Sequence, residues 1–167
     1  MNRMQIRNAE NDDCFKIYDL HINSIKHYCS DFYPEKAITA WLELKSPEEY
    51  KNHSSNRIII VAEKDDEIIG FGLINLNKKS IDSLYLKPYM AGKGIGKLLL
   101  IKLEEIAQQN QIETLKLAST LNAIEFYHQM GYQGEIKSIF KLSSGVDLEC
   151  VEMTKQLTIY TIESEYT

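Results

Sequence analysis

Residues Ser80 to Asn110 read SIDSLYLKPYMAGKGIGKLLLIKLEEIAQQN, and the fold follows from how this stretch is parsed. It opens with an apolar run, Ile81 to Leu86, that has strand length and is too short for a helix. Pro88 closes the run because proline has no N–H to give a ladder. Gly92, Gly94 and Gly96 then alternate, with Lys93 and Lys97 among them. Beyond them Ile95, Leu98, Leu99, Leu103, Ile106 and Ala107 recur at helical spacing, which predicts a helix of about three to four turns.

A strand, a glycine-rich turn and a helix N-terminus in succession make an anion site. Glycines let the backbone turn its N–H groups inward, and the helix dipole adds to their pull on a phosphate. A Walker loop would need glycine at 91 and Ser or Thr after the Gly-Lys pair, but Ala91 and Leu98 stand there. A dinucleotide fingerprint fails as well, because its third glycine comes one residue later than Gly96. The segment Leu86 to Lys97 resembles the pyrophosphate turn of the GNAT N-acetyltransferases, Gln or Arg-x-x-Gly-x-Gly. One departure stands out: Ala91 occupies the place of the usual Gln or Arg. It removes a side chain from the turn and leaves the backbone donors, so binding is expected to survive.

A second motif supports the resemblance. Ser119 to Tyr132, with Asn122, Ala123, Phe126, Tyr127 and Gly131, is similar to the family's N-x-x-A-x-x-F-Y-x-x-x-G-F, shortened by one at its start. It follows the glycine turn in the family's order and spacing. The resemblance covers Met4 to Lys155, and Tyr33-Pro34 with Ala40-Trp41 resemble the YafP-like branch. It implies an α+β GNAT fold: a mixed, mostly antiparallel sheet of about seven strands, splayed in the middle and flanked by helices. Residues 1–155 would form one acetyltransferase domain and 156–167 a tail.

The resemblance also implies a site. Acetyl-CoA would enter the splay, its pantetheine pairing with the backbone of Leu84, Tyr85 and Leu86. The pyrophosphate would lie on the turn formed by Ala91, Gly92, Lys93, Gly94, Ile95, Gly96 and Lys97. Asn122 would reach the pantetheine arm, and no metal is called for. Tyr127 maps to the family's acid, which donates to the departing CoA thiolate. The acceptor amine, with a pKa of about 10.4, must lose a proton before it attacks.

The base is open between two residues. Asp82 precedes the acetyl-binding segment by two, and period-two alternation puts it on the face of Leu84 and Leu86. Burial there would make it a usable base. His27 qualifies by its intrinsic pKa, whereas His128 adjoins Tyr127 on a helix and reads as surface. His27, Tyr28, Tyr33 and Trp41, with Phe32, are expected to line an acceptor pocket, holding an amine by packing and cation–π contact.

Composition narrows the setting. The 167 residues carry a net charge of −5 with 26% charged and 44% hydrophobic side chains, an ordinary globular balance that disfavours nucleic acid as partner. Cys14, Cys29 and Cys150 match neither a zinc spacing nor a disulfide framework, which suits a reducing compartment. No signal core opens the chain and no run approaches a membrane span, so a cytoplasmic monomer or homodimer is expected.

The remaining elements follow from pattern. A strand is expected at Met4–Arg7, a helix from Asn11–Asp13 to Ser30, and a second from Pro34 through Leu44. Pro47 starts a short turn, and His53–Asn56 reads as a loop. Arg57–Glu63 and Glu67–Leu76 form a hairpin across Asp65-Asp66. Thr114–Ala118 is a strand, and Asn122–Met130 a helix with Asn122 and Glu125 as capping box and Gly131 as stop. Tyr132–Leu142 and Val146–Lys155 make the last hairpin, and the end of the tail is expected to fray. An N-acetyltransferase using acetyl-CoA and a primary amine is the first expectation, and a non-catalytic acyl-CoA sensor is the alternative.

Overall fold

A computed structural model describes residues 3–51 and 54–160. Seven strands form one sheet: β1 Gln5–Asn8, β2 Arg57–Lys64, β3 Glu67–Asn75, β4 Ser80–Leu86, β5 Thr114–Ser119, β6 Gln133–Lys141 and β7 Asp147–Gln156. Their spatial order is β1-β2-β3-β4-β5-β7-β6, antiparallel except between β4 and β5. The helices are α1 Cys14–Tyr28, α2 Glu35–Glu43, α3 Ile95–Gln109 and α4 Ile124–Gln129. Short 3-10 turns at Asn11–Asp13 and Pro47–Tyr50 precede α1 and follow α2.

The expected elements stand where hydrophobic period put them, with small shifts at the ends. Pro34 caps α2 from outside instead of occupying its first turn. Asp65 and Asp66 both take positive φ, 54° and 62°, the conformation that a tight β2–β3 hairpin demands. The Asn122–Glu125 capping box does not form. Helix α4 begins at Ile124 with Ala123 as its cap, and Asn122 Oδ1 instead accepts the Cys29 thiol at 3.4 Å. Gly131 ends that helix at φ 89°, with the Tyr132 N–H returning to the Tyr127 carbonyl. The expected loop at His53 and the fraying end of the tail lie partly or wholly outside the described residues. No described helix is long and apolar enough to cross a membrane.

Helix α3 covers one face of the sheet with Leu99, Leu100 and Leu103 fully buried. It sits close because β3 presents Gly70 and Gly72 beneath it. A Cβ on Gly72 would lie 2.8 Å from Leu103 Cδ1, and one on Gly70 as near to Leu86 Cδ2. Helix α1 packs on the opposite face through Ile17 and Leu20 against Ile59, Val61 and Phe71. A third cluster, centred on Ile25, Cys29, Tyr33 and Ala37, joins α1 and α2 to Leu148 of β7.

The parallel pair β4–β5 is the feature that positions the site. It is registered only at Ser80 with Lys116 and at Ile81 with Leu117, after which the strands part. The rest of β4 therefore turns an unpaired edge towards β5, between the two helical layers. A β-bulge falls at the parting point: Leu73 faces Ser83 and Ile74 faces Ile81, leaving Asp82 as the extra residue.

Candidate active site

The splay opens into a cleft of about 460 Å³ between α1, the glycine turn and α4. Leu84, Tyr85 and Leu86 form one wall. Gly92, Gly94, Gly96 and Lys97 form the mouth, and Asn122, Phe126 and Tyr127 the facing side. These are residues that the two sequence motifs bring from separate parts of the chain. Lys93 is exposed and does not line the cleft.

Gly92 and Gly94 take φ of 77° and 81°, left-handed values that only glycine adopts without strain. Gly94 is the cap of α3, and the first helical bond runs from the Leu98 N–H to its carbonyl. The amides of Ile95, Gly96 and Lys97 thus lack intrahelical acceptors at the positive end of a 15-residue helix, where Gly96 and Lys97 line the cleft and Ile95 itself is buried. That donor set fits a pyrophosphate.

Tyr28 was expected in the acceptor pocket, but its hydroxyl lies at this turn. It donates to the Lys87 carbonyl at 3.0 Å and accepts the N–H groups of Met90 and Ala91, each at 3.2 Å. The Ala91 amide is therefore already occupied, so this residue shapes the cleft without offering a free donor. The braced segment is strained, with Tyr89 at φ 67°.

Tyr127 is 7% exposed and packs edge-on against Phe126 and Tyr132. Burial holds its phenol well above the ordinary tyrosine range, so it keeps its proton at neutral pH. Its hydroxyl has no hydrogen-bond partner among the described residues. The same side chain also lines the narrow gap between β4 and β5 that leads away from the cleft.

That gap continues into a second cavity of about 570 Å³. Trp41, Tyr33, Ser83 and Tyr85 line it, together with His21. Tyr33 is braced there: its hydroxyl donates to the Glu149 carbonyl at 2.6 Å and accepts the Leu121 N–H at 3.1 Å. Burial pushes its phenol up to about 12. The charged residues Asp82, Glu149, Glu152, Lys45, Lys78 and Lys116 also border it, Glu149 through the carbonyl that Tyr33 holds.

Asp82 departs from its expected setting. The bulge breaks the alternation that would have set it beside Leu84 and Leu86. It is exposed, not buried, and accepts a hydrogen bond from Ser80 Oγ at 2.6 Å. His27 departs further. It is exposed on the outer side of α1, between the rings of Tyr28 and Tyr89, and borders a groove with Asp65, Asp66 and Glu67. The five residues expected in one acceptor pocket are thus divided: Tyr33 and Trp41 line the second cavity, Tyr28 the cleft and His27 the outer groove, and Phe32 is exposed. His128 is exposed near the Gly134 carbonyl, on the surface as expected.

Two polar residues of α1 escaped the sequence reading. His21 is 2% and Ser24 1% exposed, and helical period places both with Ile17 and Ile25 on the core face. His21 borders the second cavity and Ser24 the cleft. Among the described residues no group of three His, Cys, Asp or Glu side chains could hold a metal ion.

The sheet order, the single splay and a helix N-terminus facing it define an acyl-CoA transferase fold. The family model of the acetyltransferase (GNAT) family matches residues 22–132, and the chain belongs to that family. It is thereby an acetyl-CoA-dependent N-acetyltransferase. The spermidine N(1)-acetyltransferase of Thermoplasma acidophilum is 28% identical over 79% of this chain and 89% of its own length. Among solved structures, a GCN5-related N-acetyltransferase from Rhodopseudomonas palustris superposes with a TM-score of 0.84. It is 24% identical and the match covers 94% of this chain and 98% of that one. The PaiA N-acetyltransferase of Thermoplasma acidophilum, solved in complex with coenzyme A, has a TM-score of 0.76 at 24% identity, covering 92% and 99%.

Proposed function

We propose that the protein transfers acetyl from acetyl-CoA directly to a primary amine held in the second cavity, both substrates being bound together. The observation that carries this reading is the place of Tyr127, which lines both the cleft and the gap leading to the second cavity. In this reading the pyrophosphate rests on the amides of Ile95, Gly96 and Lys97, with Lys97 adding charge. The unpaired edge of β4 receives the pantetheine, and Asn122 flanks it.

The amine nitrogen attacks the thioester carbonyl carbon, the C–S bond breaks with its electron pair leaving on sulfur, and the nitrogen gives up its extra proton to water in the cavity. Tyr127, kept protonated by burial, donates to that sulfur. Such proton donation typically contributes a factor of about 10² to 10⁴.

The acceptor we favour is an aliphatic polyamine. The named activity of the spermidine-acetylating relative supports it. So do Asp82 and Glu152, acidic residues that border the second cavity and whose carboxylates would meet ammonium groups of an extended chain. Lys45, Lys78 and Lys116 share the walls, so selection rests on individual contacts and not on net charge. A panel of amines assayed for CoA thiol release tests the reading. Release with spermidine and related amines is the expected result; tight acetyl-CoA binding with no release across the panel would favour a sensor.

A further inference from the structure

Strand β6 ends the sheet on one side: among the described residues it pairs with β7 alone, so its other edge is free. Such an edge is normally guarded by charge or twisted away, yet here Ile136 is 74%, Phe140 61% and Ile139 56% exposed. A long apolar edge with open backbone groups is a template for another strand. The Leu142 N–H bonds the Val146 carbonyl at the head of β7. Counting back by twos, Phe140, Ser138 and Ile136 also turn their backbone groups to β7, while Lys141, Ile139 and Lys137 turn theirs outward.

What meets this edge follows from its own sequence, Gln133 to Lys141, QGEIKSIFK. A two-fold axis through the sheet keeps the faces of two copies aligned, so only positions of like parity stand opposite each other. Antiparallel self-pairing centred on Ser138 sets Ile136 opposite the partner's Phe140 and Glu135 opposite the partner's Lys141, each twice. Lys137 then lies opposite the partner's Ile139, and their outward N–H and carbonyl groups exchange hydrogen bonds. Apolar pairs and opposite charges across strands both stabilise a sheet. Moving the centre one residue either way puts Lys137 opposite the partner's Lys137 or the partner's Lys141, like charges that disfavour both registers. A centre at Ile136 draws the bulge between Gln133 and Ile136 into the ladder.

We propose that the chain pairs with a second copy of itself through β6, joining two sheets into one. Ile136, Ser138 and Phe140 share a face with their β7 partners Glu152, Cys150 and Leu148. Those three β7 residues line the second cavity, and so does Phe140. The partner's Ile136 therefore stands beside Phe140 at the rim of that cavity, and the acceptor site is complete only in the dimer. That role for the partner's side chain rests on the transferase reading above; the dimer itself does not.

Sedimentation velocity of the full chain, from about 1 to about 100 μM, should show a reversible monomer–dimer equilibrium, since one strand pair is smaller than a standard interface. Glu135→Lys and Lys141→Glu each set like charges opposite at two places, and each should weaken the dimer about tenfold or more. Mixed in equal amounts, the two variants should form a heterodimer as tight as the parent dimer, because every reversed charge then meets its opposite. A folding defect cannot produce that rescue. A parent that stays monomeric at about 100 μM, leaving the edge to some other protein, would overturn the proposal. So would a dimer indifferent to both substitutions, or one that the mixture fails to restore. KM for an accepted amine should rise severalfold in either variant alone and return to the parent's value in the mixture. An unmoved KM would overturn the partner's place at the cavity, and sedimentation would still decide the dimer. Absence of CoA release by the parent with every amine would instead sink the transferase reading, and the cavity role with it.

Discussion

The hydroxyl of Tyr28 on α1 accepts the backbone N–H of Ala91 at 3.2 Å, so the first helix directly braces the turn that opens α3. The usual long polar residue of this motif is absent at 91, and the turn is instead held from across the cleft. Tyr28→Phe removes one donor and two acceptor contacts while keeping the ring. Losing such a brace costs on the order of 1 kcal/mol, so acetyl-CoA affinity should fall about five- to tenfold with kcat little changed. Titration calorimetry beside steady-state kinetics reads both quantities.

Tyr127 sits where the two substrates would meet, with an unpartnered hydroxyl. Tyr127→Phe is expected to lower kcat by about 10² or more and to leave the acetyl-CoA dissociation constant within about twofold. Unchanged turnover would remove Tyr127 as the acid.

Asp82 is a rim carboxylate in the structure, exposed and tied to Ser80. Asp82→Asn should therefore raise KM for a cationic acceptor and weaken its dependence on salt, while kcat is kept. A large fall in kcat would restore the role of base that strand alternation suggested.

His21 bears on stability. Its folded pKa is lowered, chiefly by burial, so the unfolded chain binds a proton more readily. The stability this contributes is complete above the unfolded value of about 6.5 and is lost as pH falls below it. Denaturant midpoints taken from pH 8 to pH 5 should decline more steeply for the parent than for His21→Leu. Parallel curves would contradict the burial of a neutral imidazole.

Much of the fold was legible in the chain because it depends on local period and local turn chemistry. Helix α3 announces itself through Leu99, Leu103 and Ile106. The anion turn shows through Gly92 and Gly94, which hold a left-handed φ that residues with a side chain adopt only at a cost. What was not legible depends on partners distant in sequence. The bulge at Asp82 exists only relative to Leu73 and Ile74 on β3, so alternation counted along β4 alone gives the wrong face. His27 and Tyr28 are adjacent, yet a helix sends neighbours in different directions, one outward and one into the turn. Asn122 lost its capping role to the Cys29 thiol, a contact between residues 93 apart. His21 was hidden by its own regularity, since a histidine on the apolar stripe of a helix looks like packing. The close seat of α3 likewise rests on Gly70 and Gly72, whose purpose shows only once Leu86 and Leu103 are set above them.

Every catalytic role assigned above presumes a cofactor seated on the glycine turn. Titration calorimetry of acetyl-CoA into the parent chain and into Gly94→Glu reads that seat without reference to any acceptor. Gly94 holds φ 81° at the head of α3, and a glutamate there strains the turn and sets a negative charge where the pyrophosphate should lie. Clear binding by the parent and a loss of at least about 100-fold in the variant are expected, with the fold intact by circular dichroism. Equal binding by both proteins, or none by the folded parent, would contradict a cofactor site at this turn.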